Sequence, residues 1–122
     1  MKTILVMLLL TPLLAHTKPN SEWVYMISDP NFDYWIKPMT YKTRNGFVSA
    51  LIQAYNDETN KSYIGRYSIS EIACFTGRGN VSIYSTNNRI LSMHTYTEGS
   101  KKIQSAVAEK ICSQFLQSQP QE

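Results

Sequence analysis

The chain has 122 residues and a formal net charge of +3, with 43% hydrophobic and 17% charged residues. Its basic residues are scattered, with only Lys101-Lys102 adjacent. Nucleic-acid binders gather theirs into a stripe, so composition argues against nucleic acid as a partner. Eight tyrosines and two tryptophans suit a small β-rich core with further aromatics on its faces.

The chain opens Met1-Lys2-Thr3, and an apolar run follows from Ile4 to Ala15, broken only by Thr11 and Pro12. One lysine, the apolar run and then polar Thr17-Lys18-Pro19-Asn20-Ser21 form the pattern of a secretory signal peptide over residues 1–17. The run is shorter than the roughly 20 residues that a spanning helix needs. Export is expected, with cleavage after Ala15 or Thr17. No cysteine stands near the end of the run to carry a lipid anchor. Residues 18–122 then form one domain of roughly 105 residues, enough for a single core, with no membrane span after cleavage.

Trp23 to Ile27 reads as a strand, with Trp23, Tyr25 and Ile27 on one face and Val24 and Met26 on the other. Ser28-Asp29-Pro30-Asn31 is turn chemistry. Phe32 to Ile36 fits a short second strand, which Pro38 stops from continuing. Tyr41 to Arg44 is polar, and Asn45-Gly46 signals a turn. Phe47 to Tyr55 alternates as a strand, with a helix as the rival reading. Asn56 to Asn60 is a polar loop. Ser62 to Phe75 reads as one long strand carrying Cys74, in which Gly65 marks a bulge or a close backbone approach. Gly77-Arg78-Gly79-Asn80 is expected to turn the chain. Val81–Thr86 and Arg89–Thr95 then flank a two-residue Asn87-Asn88 hairpin loop. Ser100 is the expected N-cap of a C-terminal helix. Ile103, Val107, Ile111 and Phe115 form its apolar face, extended by Ala108 and Cys112, with Lys102, Glu109 and Ser113 opposite. Residues 117–122 are expected to fray.

Short turns between successive strands, then one helix, predict an α+β fold: an antiparallel meander of five or six strands packed by the C-terminal helix. Cys74 and Cys112, the two cysteines of an exported chain, favour one intramolecular disulfide over free or intermolecular thiols. Closing a loop of about 38 residues would stabilise the domain by roughly 3–4 kcal/mol in the chain-entropy model.

The chemistry-bearing residues are sparse. His94 is the one histidine outside the signal region, since His16 lies in or beside it. A Cys74–His94 nucleophile pair is outweighed by disulfide formation in an exported chain. Gly77-Arg78-Gly79 offers backbone amides for an anion, but reads more simply as a strand connection. Asp29 with Asp33, and Asp57 with Glu58, fall in turn sequences and fall short of a cation loop. Asn60-Lys-Ser62 and Asn80-Val-Ser82 match the short glycosylation pattern. No enzyme, cofactor or metal is expected. Protein binding remains, carried by the residue types that dominate interfaces: Tyr25, Tyr55, Tyr63, Tyr67 and Tyr84, with Arg44, Arg66, Arg78 and Arg89. The competing role for the tyrosines is cross-strand packing. An exposed strand edge would also let a second copy pair with the sheet.

Taken together, the signal pattern, the tryptophan-led strand Trp23–Ile27, the run Tyr67-Ser-Ile-Ser-Glu-Ile-Ala-Cys74, the hairpin after it, and Ser100 followed by Val107-Ala-Glu-Lys-Ile-Cys112 resemble the surface-adhesin protein E family of Gram-negative bacteria. The resemblance spans Trp23 to Cys112. It implies an antiparallel sheet with a C-terminal helix and a Cys74–Cys112 bridge. It also implies a periplasmic or cell-surface location and, through the family's best-known member, binding to host matrix or plasma proteins such as laminin, vitronectin or plasminogen. The alternative expectation, independent of the resemblance, is a periplasmic accessory protein that inhibits or scaffolds an envelope enzyme. The chain departs from the family's best-known member in lacking a lipid-carrying cysteine, and around Pro38 and Tyr41–Arg44. No host-binding residue carries across.

Overall fold

The computed structural model describes residues 19–38 and 42–119. The expected signal peptide and the last residues of the tail lie outside them. Among the described residues there are seven strands: β1 (Val24–Ser28), β2 (Asp33–Ile36), β3 (Lys42–Arg44), β4 (Phe47–Asn56), β5 (Lys61–Ser70), β6 (Arg78–Tyr84) and β7 (Ile90–Thr97). The described residues also form two helices, α1 (Glu71–Thr76) and α2 (Ile103–Gln117). All strand pairs are antiparallel, in the order β1-β2-β4-β5-β6-β7. β3 also pairs with β4, on its Phe47–Ser49 end, while β2 holds the Ile52–Tyr55 end. The fold is thus the expected α+β meander, with one strand and one short helix more.

β4 and β5 form the spine, paired without interruption from Phe47↔Ser70 to Asn56↔Lys61. Their alternation decides what lies inside. Val48, Ala50 and Ile52 on β4 meet Ile69, Tyr67 and Gly65 on β5, and all are buried. Val81 and Ile83 of β6 and Tyr96 of β7 continue this layer, and Tyr34 and Ile36 of β2 close its other side. α2 lies over it with Val107, Ala108, Ile111, Cys112 and Phe115 buried. Burying each large aliphatic contributes about 1.5–3 kcal/mol, so this contact is the core. Ser105, 1% exposed, fixes the helix start: its Oγ accepts from Thr97 N and donates to Thr97 O at 2.8 and 2.9 Å.

The Cys74–Cys112 disulfide is present, with Cα atoms 5.1 Å apart. It ties helix to helix, because the expected long strand stops at Ser70. There Ser70 Oγ accepts from Ala73 N, capping α1, and Gly77 ends it at φ 84° with its N–H on Ala73 O. This capping chemistry outweighs the β-forming residues around it. Arg78-Gly79-Asn80 does not turn the chain. It is the start of β6, opposite Thr97, Tyr96 and Thr95. Gly79 is needed there, since a Cβ would sit 2.7 Å from Ala73 Cβ.

Other expectations shift by small amounts. Gly65 marks a close approach and no bulge: its register with Ile52 is unbroken, and a Cβ would lie 3.1 Å from Ile83 Cγ2. Register shifts fall elsewhere, in the β6–β7 pair at Ile83/Tyr84 and in β1 between Tyr25 and Ile27, where Met26 and Ile27 both pack on the core and strict alternation fails. Lys42–Arg44, read as polar chain, is drawn into β3 by the Asn45-Gly46 turn, whose φ values are 53° and 82°. The β6–β7 loop is longer than two residues. Ser85 N bonds Arg89 O, and Asn88 alone takes positive φ, at 70°. α2 starts at Ile103 with Lys102 as N-cap, and Ser100 Oγ accepts from Lys102 N ahead of it.

Candidate functional site: the open face of the sheet

Among the described residues, the helices pack on one face of the sheet and leave the other, the open face, without a helix, although Gln53 and Tyr55 on it are buried. Strand register sorts the side chains on it into rows. One row runs Tyr25–Trp35–Gln53–Ile64, the next Leu51–Arg66–Tyr84–Ile90, and a third Ser49–Ser68–Ser82–Met93. Phe47 with Arg44 opposite it, and Arg78 opposite Thr97, extend the face toward α1. Tyr25, Phe47, Ile90 and Met93 are each half or more exposed.

Arg66 is held at the centre. Its guanidinium lies 4.6 Å from the Tyr84 ring centroid, and Nη2 donates to Asn88 Oδ1 at 2.9 Å. A cation over an aromatic face at this range is attractive by about 0.5–1 kcal/mol at exposed sites, and a held guanidinium loses less entropy when it meets a carboxylate. Toward β1, the Tyr25 ring stands edge-to-face against Trp35, with centroids 5.6 Å apart. Tyr25 Oη is bonded to Ser28 Oγ, which donates to Asp33 Oδ1 at 2.6 Å. Trp35 Nε1 is buried without a hydrogen-bond partner, a desolvation cost of roughly 1–3 kcal/mol.

The structure therefore divides the residues singled out for binding. Tyr25, Arg66, Tyr84 and Arg78 share the open face, and Arg89 is exposed in the adjoining hairpin loop. Tyr55 belongs to the same face by register but is buried, with its hydroxyl donating to Asn60 Oδ1 at 2.9 Å. Tyr63 lies on the opposite face, opposite Ala54, and packs on Phe32. Tyr67 is a core residue under α2, its hydroxyl donating to Gln104 Oε1 at 2.5 Å. Tyr63 and Tyr67 thus lie off the open face, because odd positions of β5 point to the helix side, although Tyr63 remains exposed there. Trp35, Phe47 and Met93 were missed. The period-2 alternation of β4 and β5 held the signal for Phe47; knowing which parity the helix covers was the missing piece.

The residues considered for chemistry are spread apart. Cys74 is in the disulfide. His94 lies on the helix-side face of β7, with Nε2 3.0 Å from Ser92 Oγ. Asp29 accepts from Asn31 N and Phe32 N as a turn residue and also receives the Tyr34 hydroxyl at 3.3 Å. Burial, with Asp29 nearby, pushes Tyr34 up to about 12. Burial likewise raises Tyr67 well above the ordinary phenol value, and raises Tyr96, with Glu109 and Glu98 adding. These shifts keep the phenols protonated at neutral pH, the opposite of what a general base needs. Among the described residues, no group of three or more His, Cys, Asp or Glu is placed to hold a metal ion. A cleft of about 220 Å³ lies between Ile27 and the Ala106–Ser113 side of α2, and a hollow of about 80 Å³ beside Gly65 and Leu91. Both fall below the ~300 Å³ at which ligand pockets begin. No helix among the described residues is long and apolar enough to cross a membrane.

Comparisons with protein-family models, with curated proteins and with solved structures found no match for this chain.

Proposed function

We propose that this chain is an exported, non-enzymatic protein-binding domain that works through the open face of its sheet. The observation that carries the reading is that face itself: Arg66 fixed on Tyr84, Tyr25 set on Trp35, and exposed Phe47, Ile90 and Met93 around them. Aromatic and arginine anchors among apolar and hydroxyl neighbours are the make-up of protein interfaces. The signal pattern at residues 1–17 supports export, and the disulfide suits an oxidising compartment. The adhesin-E resemblance favours a host matrix or plasma protein as partner.

The second reading is an accessory protein of the envelope, which inhibits or scaffolds an enzyme there. The same face serves both. The β7 edge offers a further partner, a second copy: Ile90–Thr97 holds no Lys, Arg, Asp or Glu, and among the described residues it pairs with β6 alone. Protease treatment of intact cells separates the readings. Digestion from outside supports the adhesin. Protection until the outer membrane is opened supports the envelope partner. A reduced, full-length protein recovered from the cytoplasm would overturn both.

A further inference from the structure

We infer that the open face is built for an acidic protein surface; this rests on the open-face reading above and names the partner's chemistry. The charges on the molecule are sorted by face. By register, Arg44, Arg66 and Arg78 lie on the open side of β3, β5 and β6. Among the described residues two carboxylates accompany them at the β1–β2 end: Asp33, at the corner under the Ser28 hydroxyl, and Glu22, ion-paired at 3.5 Å with Lys37, whose N–H on Leu51 O continues the open-side register of Trp35. The remaining described acids lie elsewhere: Asp29 is in the β1–β2 turn, Asp57 and Glu58 are in the β4–β5 turn, and Glu71, Glu98 and Glu109 are on or beside the helices. No carboxylate among the described residues pairs with Arg44, Arg66 or Arg78.

Spacing then selects the partner. From strand separation and rise, the three Cα positions are roughly 16–20 Å apart. At that spacing the three arginines do not converge as one cluster on a single phosphate or carboxylate. A nucleic-acid groove needs a continuous basic track, and here the ground between is Ser49, Ser68 and Ser82, with Leu51 and Ile64. Separate cations set in hydroxyl and apolar surface, over an area of several hundred Å², match the half of a standard protein interface that one partner supplies. A partner surface with spaced carboxylates completes it. Such charge complementarity acts mainly on encounter and orientation.

The test uses the oxidised protein at low and high salt, with poly-L-glutamate as the probe, and heparin and a single-stranded oligonucleotide as the other arms. Two variants with equal charge loss are compared, R44Q/R66Q/R78Q on the open face and K101Q/K102Q/K110Q beside and on α2. Glutamine at position 66 still packs on Tyr84, and cooperative unfolding of each variant confirms folding. The expected result is salt-sensitive poly-L-glutamate binding that weakens at least tenfold in the arginine variant and less than threefold in the lysine variant. Equal losses, no binding at low salt, or tighter binding of heparin or the oligonucleotide would overturn the inference. A photo-crosslinker at Tyr84 reports the face independently of charge. Partner adducts from Tyr84 alongside a failed poly-L-glutamate result would sink the acidic partner and leave the open-face reading standing. Loss of both would remove the reading itself.

Discussion

Tyr34 and Tyr67 show what one hydroxyl contributes when it is buried. Each phenol is satisfied, by Asp29 and by Gln104, and each is pushed above the ordinary value, Tyr34 to about 12. In the unfolded chain both ionise near 10. Between about 10 and 12 the folded state therefore holds more protons than the unfolded one, and stability falls as pH rises. It is fully present below pH ~10. Urea midpoints at about pH 9 and pH 11 should show this decline, and Y34F/Y67F should flatten it; a midpoint equal at both values would contradict the assignment. In sequence these tyrosines are indistinguishable from Tyr25 or Tyr84. What separates them is strand parity relative to α2, a tertiary fact. Ser70 is the reverse case. Its capping role was present in Ser70-Glu71 and in Gly77, but the β-branched and aromatic run before it masked the helix start.

At the scale of elements, α2 and the β4–β5 hairpin were legible because their periodicities are long and clean. The fourfold spacing of Ile103, Val107, Ile111 and Phe115 maps onto the buried stripe, with Ile103 partly buried at its end. β3 was not legible, since three polar residues carry no alternation of their own and are held only by pairing to β4. β1 was half legible, because a bulge places both Met26 and Ile27 against the core. α1 is six residues long, too short to be stable alone. It depends on the disulfide and on Phe75 set edge-to-face on Phe115 at 5.6 Å. C74S/C112S should lower unfolding free energy by roughly 3–4 kcal/mol in the chain-entropy model, read from denaturant melts beside the oxidised protein. The loss should be accompanied by faster amide exchange in α1 than in β4–β5. Unchanged stability would mean that the bridge merely decorates contacts already sufficient.

For the whole molecule, the meander-plus-helix architecture followed from turn chemistry and one amphipathic helix, and the Cys74–Cys112 pairing from cysteine count and export. The site was only partly legible. Residue types pointed to tyrosine and arginine, but sidedness decides which of them lie on the open face, and sidedness is set by which sheet face the helix takes. The result is a two-faced domain: one face is covered by α2, and the other carries fixed aromatic groups and arginines that no described carboxylate pairs with. The measurement that tests this most directly is site-specific photo-crosslinking in the cells that make the protein. A benzophenone amino acid is placed at Tyr84 or Met93 on the open face, or at Lys110 or Ser113 on the outer side of α2. Discrete protein adducts from Tyr84 and Met93, and none from Lys110 or Ser113, are the predicted result. Adducts from the α2 positions alone would contradict the account and move the binding surface to the helix side.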